Sequence, residues 1–374
     1  MNIEKNIAAF TSLGERLRAI ASGNSDAETE SVISAASSTN PWFIKENILN
    51  ALGAIGESLN RDHLNQWLAP YREKISSSGR KKVVAVINAG NIPAVGFHDF
   101  LCVLLSGNIY HGKNSSDDLH LLPFIASLLK KIEPRFEEEI FFVDRISNPD
   151  AVIATGSNNS ARYFNYYFGK YPHIIRRNRN GVAVLDGNEN TEELSALADD
   201  VFQYFGLGCR SVSKIFVPED FDVRKLFPVF EKYNSVSHHN RYMNNYNYQR
   251  VLLLMNKAPF LENGFVILRE ATSLHSPISV LHYERYKNVG EVIDKLFAQS
   301  EEVQCVACGK ELSPRSPLTR KGEIPSRKSV GGSPFRESEG ERGQLPLVPL
   351  GQTQNPKLWD YADAVDTMEF LCFG

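Results

Sequence analysis

The chain has 374 residues, 42% of them hydrophobic and 23% charged, with a formal net charge of -3. That length allows two domains with a large buried core, and the charge balance gives no reason to expect nucleic acid or an anionic membrane surface as partner. The opening "MNIEKNIAAFTSLGERL" lacks the apolar core of a signal peptide and no apolar run is long enough to span a membrane, so a cytoplasmic chain with Cys102, Cys209, Cys305, Cys308 and Cys372 reduced is expected.

Residues 1–75 read as mostly helical, with "PWFIKENILNALGAIGESLN" the clearest amphipathic stretch. From Lys81 the pattern changes. "KKVVAVINA" reads as a strand, "VGFHDFLCVLL" as a helix stopped at Gly107 and Asn108, and "IYHGK" as a second strand. Strand, helix and strand in so short a stretch make a βαβ unit and imply a parallel sheet. The alternation continues with "LHLLPFIASLLKKI" as helix, then "EEIFFVD" and "AVIATG" as strands. Next come "NNSARYFNYYF" as helix, and "HIIRR" and "GVAVLDG" as strands. The expected fold class is α/β, doubly wound. No G-x-G-x-x-G follows any of these strands, so the ordinary dinucleotide fingerprint is absent.

"TEELSALADDVFQYF", residues 191–205, carries Leu194, Leu197, Val201, Phe202 and Phe205 at helical spacing, a core-packing stripe. Thr191 or Asn190 can cap its start, and Gly206 and Gly208 can end it by permitting positive φ. The helix delivers the chain to Cys209. From 309 to 344 the large apolar residues are only Leu312, Leu318, Ile324, Val330 and Phe335, among Ser, Pro, Gly and charged residues. That composition reads as a mobile insertion, after which the fold resumes at "LPLVPLGQTQNPKLWDYADAVDTMEFL".

Cys305 and Cys308 form one C-x-x-C, but no second pair or close histidine completes a tetrahedral set, so no metal site is expected. His98, His111 and His275 have no recognisable nucleophile partner. Cys209 differs in its neighbours. Gly208 opens the backbone beside the sulfur to a planar acyl group, and a nucleophilic thiol needs a donor for the oxyanion formed on attack. In "NAGNIPAVGF", Asn91 sits at a strand-to-helix turn stiffened by Pro93 and can supply that donor, although a plain turn asparagine also fits those ten residues. A preceding helix C-terminus does not favour a thiolate, so activation needs local N–H groups, an unidentified base, or Arg210 turned toward the sulfur.

Seven segments in order, "GNIP", "GKNSSDD", "ATGS", "GVAVLDGNE", "YFGLGCRSVSKIFVP", "SPISVLHYE" and "DYADAVDTMEFL", resemble the LuxC-like acyl-CoA reductases of bacterial bioluminescence, a branch of the aldehyde dehydrogenase superfamily. The resemblance runs from about residue 80 to 300 and again from about 345 to the end. It implies an aldehyde dehydrogenase-like fold of two lobes, each with a largely parallel sheet. A dinucleotide-binding lobe would span 1–185, completed by 345–374, and a catalytic lobe 186–345. It also implies NAD(P)H-dependent reduction of an acyl thioester, a fatty acyl-CoA, to an aldehyde through an acyl-cysteine, with aldehyde oxidation by NAD(P) or a non-catalytic acyl-binding subunit as the alternatives. Cys209 would be the nucleophile and Asn91 the oxyanion donor. Lys113, with Ser115 beside it, would bind the adenosine ribose or its phosphate. Thr155, Gly156 and Ser157 would lie under the pyrophosphate, and Glu270 would hold the nicotinamide ribose. A neutral Ser116, three positions after the lysine, implies NADPH accepted at least as well as NADH. Leu185 would take the place of the base that hydrolyses acyl-enzymes in acid-forming relatives, with Asp186 and Glu189 nearby. The implied partners are coenzyme A as part of the substrate, further copies of the chain in a homo-oligomer, and an acyl-activating enzyme. The insertion at 309–344 departs from the family pattern, and the short chain implies that the superfamily's subunit-exchange arm is missing.

Overall fold

The computed structural model describes residues 3–77, 79–309 and 345–372. Residues 310–344, nearly the whole of the expected insertion, lie outside the described residues. Two compact units divide the chain: 1–178 with 355–374, and 179–354. Residues 179–185 and 345–354 therefore belong to the second unit.

In the first unit, helices α1 (Ile3–Ala21), α2 (Ala27–Thr39), α3 (Lys45–Ser58), α4 (Arg61–Leu68) and α5 (Arg72–Ser77) precede the sheet. Ile7, Phe10, Leu13, Leu17 and Ile20 form the buried stripe of α1, at the spacing that places apolar residues on one helical face. Strands β1 (Val83–Ile87), β2 (Ile109–Lys113), β3 (Ile140–Phe142), β4 (Ala151–Thr155) and β5 (His173–Arg176) alternate with α6 (Phe97–Leu105), α7 (Leu121–Ile132) and α8 (Asn158–Phe168). The strand order is β3-β2-β1-β4-β5, and all four pairings are parallel. Central strands such as Val83–Ile87 are apolar throughout because helices cover both faces of such a sheet. The C-terminal helix α13 (Thr367–Cys372) buries Met368 and Leu371 in this core. Arg176, at the end of β5, is ion-paired with Asp99 of α6 and donates to Thr367 Oγ1 at 2.9 Å.

The second unit holds β6 (Asn180–Val184), β7 (Val212–Pro218), β8 (Leu261–Glu262), β9 (Ile267–Glu270), β10 (Val280–Tyr286), β11 (Val303–Cys308) and β12 (Leu347–Pro349). Its helices are α9 (Thr191–Phe202), α10 (Leu226–Phe230), α11 (Asn240–Met255) and α12 (Val289–Ala298). The order is β12-β11-β6-β7-β10-β9-β8, parallel except for the antiparallel edge strand β8. The fold is thus α/β with two largely parallel sheets, as expected. Among the described residues no helix is long and apolar enough to cross a membrane.

Candidate active site

In the first sheet the chain runs from β1 outward to β2 and β3, then returns to the other side for β4 and β5. The order reverses between β1 and β4, and in open α/β sheets ligands bind at the carboxyl ends of the strands at such a point. The turn after β1 is built for a fixed shape. Ala94 takes a left-handed φ of 54°, which a non-glycine residue keeps only when its surroundings hold it. Asp118 supplies the hold: Ala94 N donates to its Oδ2 at 2.8 Å and Leu121 N to its Oδ1 at 3.2 Å. Burial pushes the Asp118 carboxyl up to about 6, against the effect of those two N–H donors. Asn88, also buried, donates to Tyr110 Oη at 2.8 Å and Asn114 Oδ1 at 2.9 Å. A Cβ on Gly90 would stand 2.8 Å from the Ser115 side chain, so the turns after β1 and β2 are in direct contact.

Asn91 lies exposed on that first turn. Lys113 ends β2 with its Nζ donating to Asp144 O at 2.6 Å. Ser115 Oγ accepts from Asp117 N at 3.2 Å, and Ser116 is exposed. Thr155 ends β4, and Ser157 caps α8 by accepting from Ser160 N at 3.1 Å. Between them Gly156 packs so closely that a Cβ would meet Phe164 and Ser160 at 2.9 Å. The fold therefore brings Asn91, Lys113, Ser115, Ser116, Thr155, Gly156 and Ser157 to the carboxyl edge of one sheet.

Cys209 lies in the second unit. Its approach begins at α9, where Asn190 and Glu193 form a reciprocal capping box. The helix stops at Phe202, short of the expected 205, because Tyr204, Phe205 and Gly206 all turn left-handed, with φ of 54°, 58° and 72°. Gly206 adopts this freely, but two aromatic residues do so at a cost of about 1–3 kcal/mol each. Burial sustains them: the Phe205 ring centroid lies 4.5 Å from that of His239 and 6.0 Å from that of Tyr242. Gly208 has no positive φ; it instead closes the next turn, accepting at its carbonyl from Ser211 N at 3.0 Å. Cys209 sits on that turn and, of the five cysteines, is the exposed one. Burial raises the thiols of Cys102, Cys308 and Cys372, the last two to about 11. Arg210 turns its Nε to Thr353 O at 2.7 Å.

Two expected residues lie elsewhere in the second sheet. Strands β6 and β7 are parallel, with Gly181 opposite Val212 and Val184 opposite Phe216. Cys209 precedes β7 at the amino edge, whereas Leu185 follows β6 at the carboxyl edge, about 13 Å along the strands at roughly 3.3 Å per residue. Leu185 therefore does not occupy a base position beside Cys209, and Asp186 and Glu189 lie at that far edge with it. Glu189 is also engaged locally, accepting from Asp186 N at 2.6 Å and Gly187 N at 3.1 Å. Glu270 is exposed at the carboxyl end of β9, which β10 joins in parallel to β7. It too is set away from the Cys209 edge.

The family model for acyl-CoA reductase (LuxC) matches residues 18–226, more than half of the chain. This chain belongs to the LuxC acyl-CoA reductase family. No curated protein matches it. Among solved structures, an NAD-dependent aldehyde dehydrogenase from Sinorhizobium meliloti is similar at a TM-score of 0.61 and 13% identity, covering 86% of this chain and 73% of that one. A glyceraldehyde-3-phosphate dehydrogenase from Methanocaldococcus jannaschii, complexed with NADP, gives 0.57 and 12%, over 82% of this chain and 76% of that one. An aldehyde dehydrogenase from Mycobacterium tuberculosis, complexed with NAD+, gives 0.59 and 11%, over 86% and 76%. These likenesses establish an aldehyde dehydrogenase fold. Membership of the LuxC family makes the chain an oxidoreductase of acyl or aldehyde groups.

Two buried carboxylates, Asp118 and Asp200, were not singled out from sequence. Asp118 ends "GKNSSDD", and Asp200 interrupts the buried stripe of α9 between Leu197 and Val201. A charge on an apolar stripe is the signal that could have found Asp200.

Proposed function

We propose that this LuxC-family chain reduces an acyl thioester, with coenzyme A as carrier, to an aldehyde through an acyl group held on Cys209. The observation that carries this is the exposure of Cys209, of the five cysteines, on a turn entered through a strained left-handed run. A nucleophile must meet substrate, and stored backbone strain concentrates at sites where the surroundings over-determine one geometry.

The first unit fits a nicotinamide dinucleotide. Gly156 leaves no room for a side chain, and Ser157 caps an eleven-residue helix that starts at the switch point without acidic residues in its first turn. Such an N-terminus favours phosphate. Thr155, Gly156 and Ser157 would hold the pyrophosphate, and Lys113, Ser115 and Ser116 the adenosine ribose or its 2′-phosphate. NAD(P)H, when bound, supplies the hydride that turns the acyl group into an aldehyde.

The chain's own residues do the rest. The Cys209 thiolate attacks the thioester carbonyl, the carbonyl π electrons move to oxygen, and their return expels the coenzyme A thiolate, which takes up a proton. Asn91, by its match to the family motif, is the residue assigned as oxyanion donor. Glu270, level with Ile215 in the middle of β7 and two strands away from it, is given no part in this assignment.

Intact-mass measurement after incubation with an acyl-CoA tests the reading. One acyl adduct should appear on the wild type, Cys305→Ala and Cys308→Ala, and none on Cys209→Ala, which should also lose aldehyde formation. Near-normal aldehyde formation by Cys209→Ala would overturn it.

A further inference from the structure

The turn that carries Cys209 is held by a segment without regular secondary structure. Ser211 Oγ accepts from Gly208 N at 3.2 Å and from Gln354 Nε2 at 3.2 Å, so both the start and the end of the turn meet at one buried hydroxyl. Arg210 is tied to Thr353 O at 2.7 Å. Gly351 and Thr353 are in turn held from a single side chain. Asp200 Oδ1 accepts from Thr353 N at 2.9 Å and from Thr353 Oγ1 at 2.8 Å, and its Oδ2 accepts from Gly351 N at 2.6 Å. Asp200 is 1% exposed and Thr353 0%. Gln354 Nε2 also reaches Thr353 Oγ1 at 3.3 Å.

We propose that Asp200 is a positioning residue for Cys209, acting through the 351–354 segment on Arg210 and Ser211. The proposal rests on the reading of Cys209 as nucleophile. Three donors converge on two carboxylate oxygens, which no other side chain of that size can accept. In Asp200→Asn one oxygen becomes an NH2 group facing a backbone or hydroxyl donor, and that donor is left buried and unpaired. The 351–354 segment then loses its anchor, and the two residues after Cys209 lose their fixed partners. Asp200 touches no reacting atom in this scheme. Its effect is on where the sulfur stands.

The test is the rate at which iodoacetamide alkylates Cys209 in the native enzyme, read by peptide mass, alongside kcat and KM for acyl-CoA and NADPH. Asp200→Asn should lower kcat by about 10-fold to 10²-fold, the scale of a misplacement near 1 Å, and change the alkylation rate, with both KM values within about twofold. Thr353→Val, which keeps the shape but removes the hydroxyl, should shift both readouts in the same direction and serves if Asp200→Asn does not fold. A first-unit core variant, Phe10→Leu, matched in Tm, should leave kcat and alkylation unchanged. Wild-type alkylation and kcat in Asp200→Asn and Thr353→Val would overturn the proposal, as would equal losses in Phe10→Leu. Alkylation reports the turn even if Cys209→Ala proves active, so failure of the bracing and failure of the nucleophile are separable.

Discussion

Gly181 of β6 lies against Ser211 so closely that a Cβ on the glycine would stand 2.7 Å from the Ser211 carbonyl oxygen, with the Arg210 carbonyl closer still. Both neighbours are backbone and belong to the Cys209 turn, so neither can yield by changing rotamer. Gly181→Ala should therefore lower stability by about 1–3 kcal/mol, the usual cost of overpacking, and slow aldehyde formation because the turn is what must move. Urea unfolding and steady-state rates measure the two effects. A variant with wild-type stability would show that the contact relaxes freely.

Two asparagines on the turn after β1 should separate rate from stability. Asn91 is exposed, and its loss in Asn91→Ala should lower kcat by roughly 10²-fold to 10³-fold, the range for removal of one oxyanion donor. Asn88 is buried and donates to Tyr110 and Asn114. Asn88→Ala leaves those partners unsatisfied, at about 1–3 kcal/mol, so it should show first in the unfolding midpoint. The reading of Asn91 fails if its alanine variant turns over normally.

Much of this was legible in the sequence. The periodicity of "NNSARYFNYYF" gave a helix over Asn158–Phe168, and "IYHGK" a strand over Ile109–Lys113, because each segment's pattern and its Gly, Asn or Pro punctuation agree. The end of α9 was not legible. Phe205 continues the apolar stripe, and nothing local says that Tyr204 and Phe205 leave the helix for left-handed φ; the rings packed on Phe205 are His239 and Tyr242, more than thirty residues on. The place assigned to Leu185 went wrong for a related reason. A motif's order along the chain does not fix which edge of the sheet it reaches, and the parallel pairing of β6 with β7 does.

Cofactor choice should turn on Ser116. It is exposed, neutral and next to Ser115, whose Oγ holds Asp117 N at 3.2 Å. Ser116 stands three positions after Lys113. NADPH should be accepted at least as well as NADH, and Ser116→Asp should reverse the preference by repelling a 2′-phosphate. Steady-state constants for both cofactors decide it, and a strong NADH preference in the wild type would refute the inference.

Asp118 and Asp200 should give the enzyme an unusual acid response. Burial pushes both up to about 6 from an ordinary 3.8. Between those values the folded chain binds more protons than the unfolded one, so their contribution to stability falls as pH rises through that window and stays lost above it. Burial lowers His98 and His282, whose contribution runs the other way and is lost as pH falls through and below 6.5. Asp118→Asn removes one carboxylate's compensation, worth about 3 kcal/mol at roughly 1.4 kcal/mol per pH unit. Its stability should therefore decline more steeply than the wild type's from about pH 6 to pH 4, read as urea midpoints. Parallel curves for the two proteins would mean that Asp118 titrates normally.

The acyl group on Cys209 should hydrolyse slowly. Hydrolysis needs a carboxylate that takes a proton from water beside the acyl carbon. Of the residues that sequence placed in that role, Leu185 cannot act as a base, and its buried carbonyl accepts from Tyr286 Oη at 2.6 Å. Asp186 and Glu189 can act as bases, but they follow β6 at the carboxyl edge of the sheet while Cys209 precedes β7 at the amino edge. Glu189 is further committed to the N–H groups of Asp186 and Gly187. The whole loop after β6 is therefore at the wrong end of the sheet to act on the acyl group. Acyl-Cys209 should persist in buffer and be discharged quickly by NADPH or by free coenzyme A, whose thiol attacks the same carbonyl and reverses the acylation. Isolating the labelled protein and following the label in buffer, with reductant and with thiol makes the comparison. Rapid release of free acid in buffer alone would mean that some other group serves as base, and the chain would then act as a hydrolytic dehydrogenase.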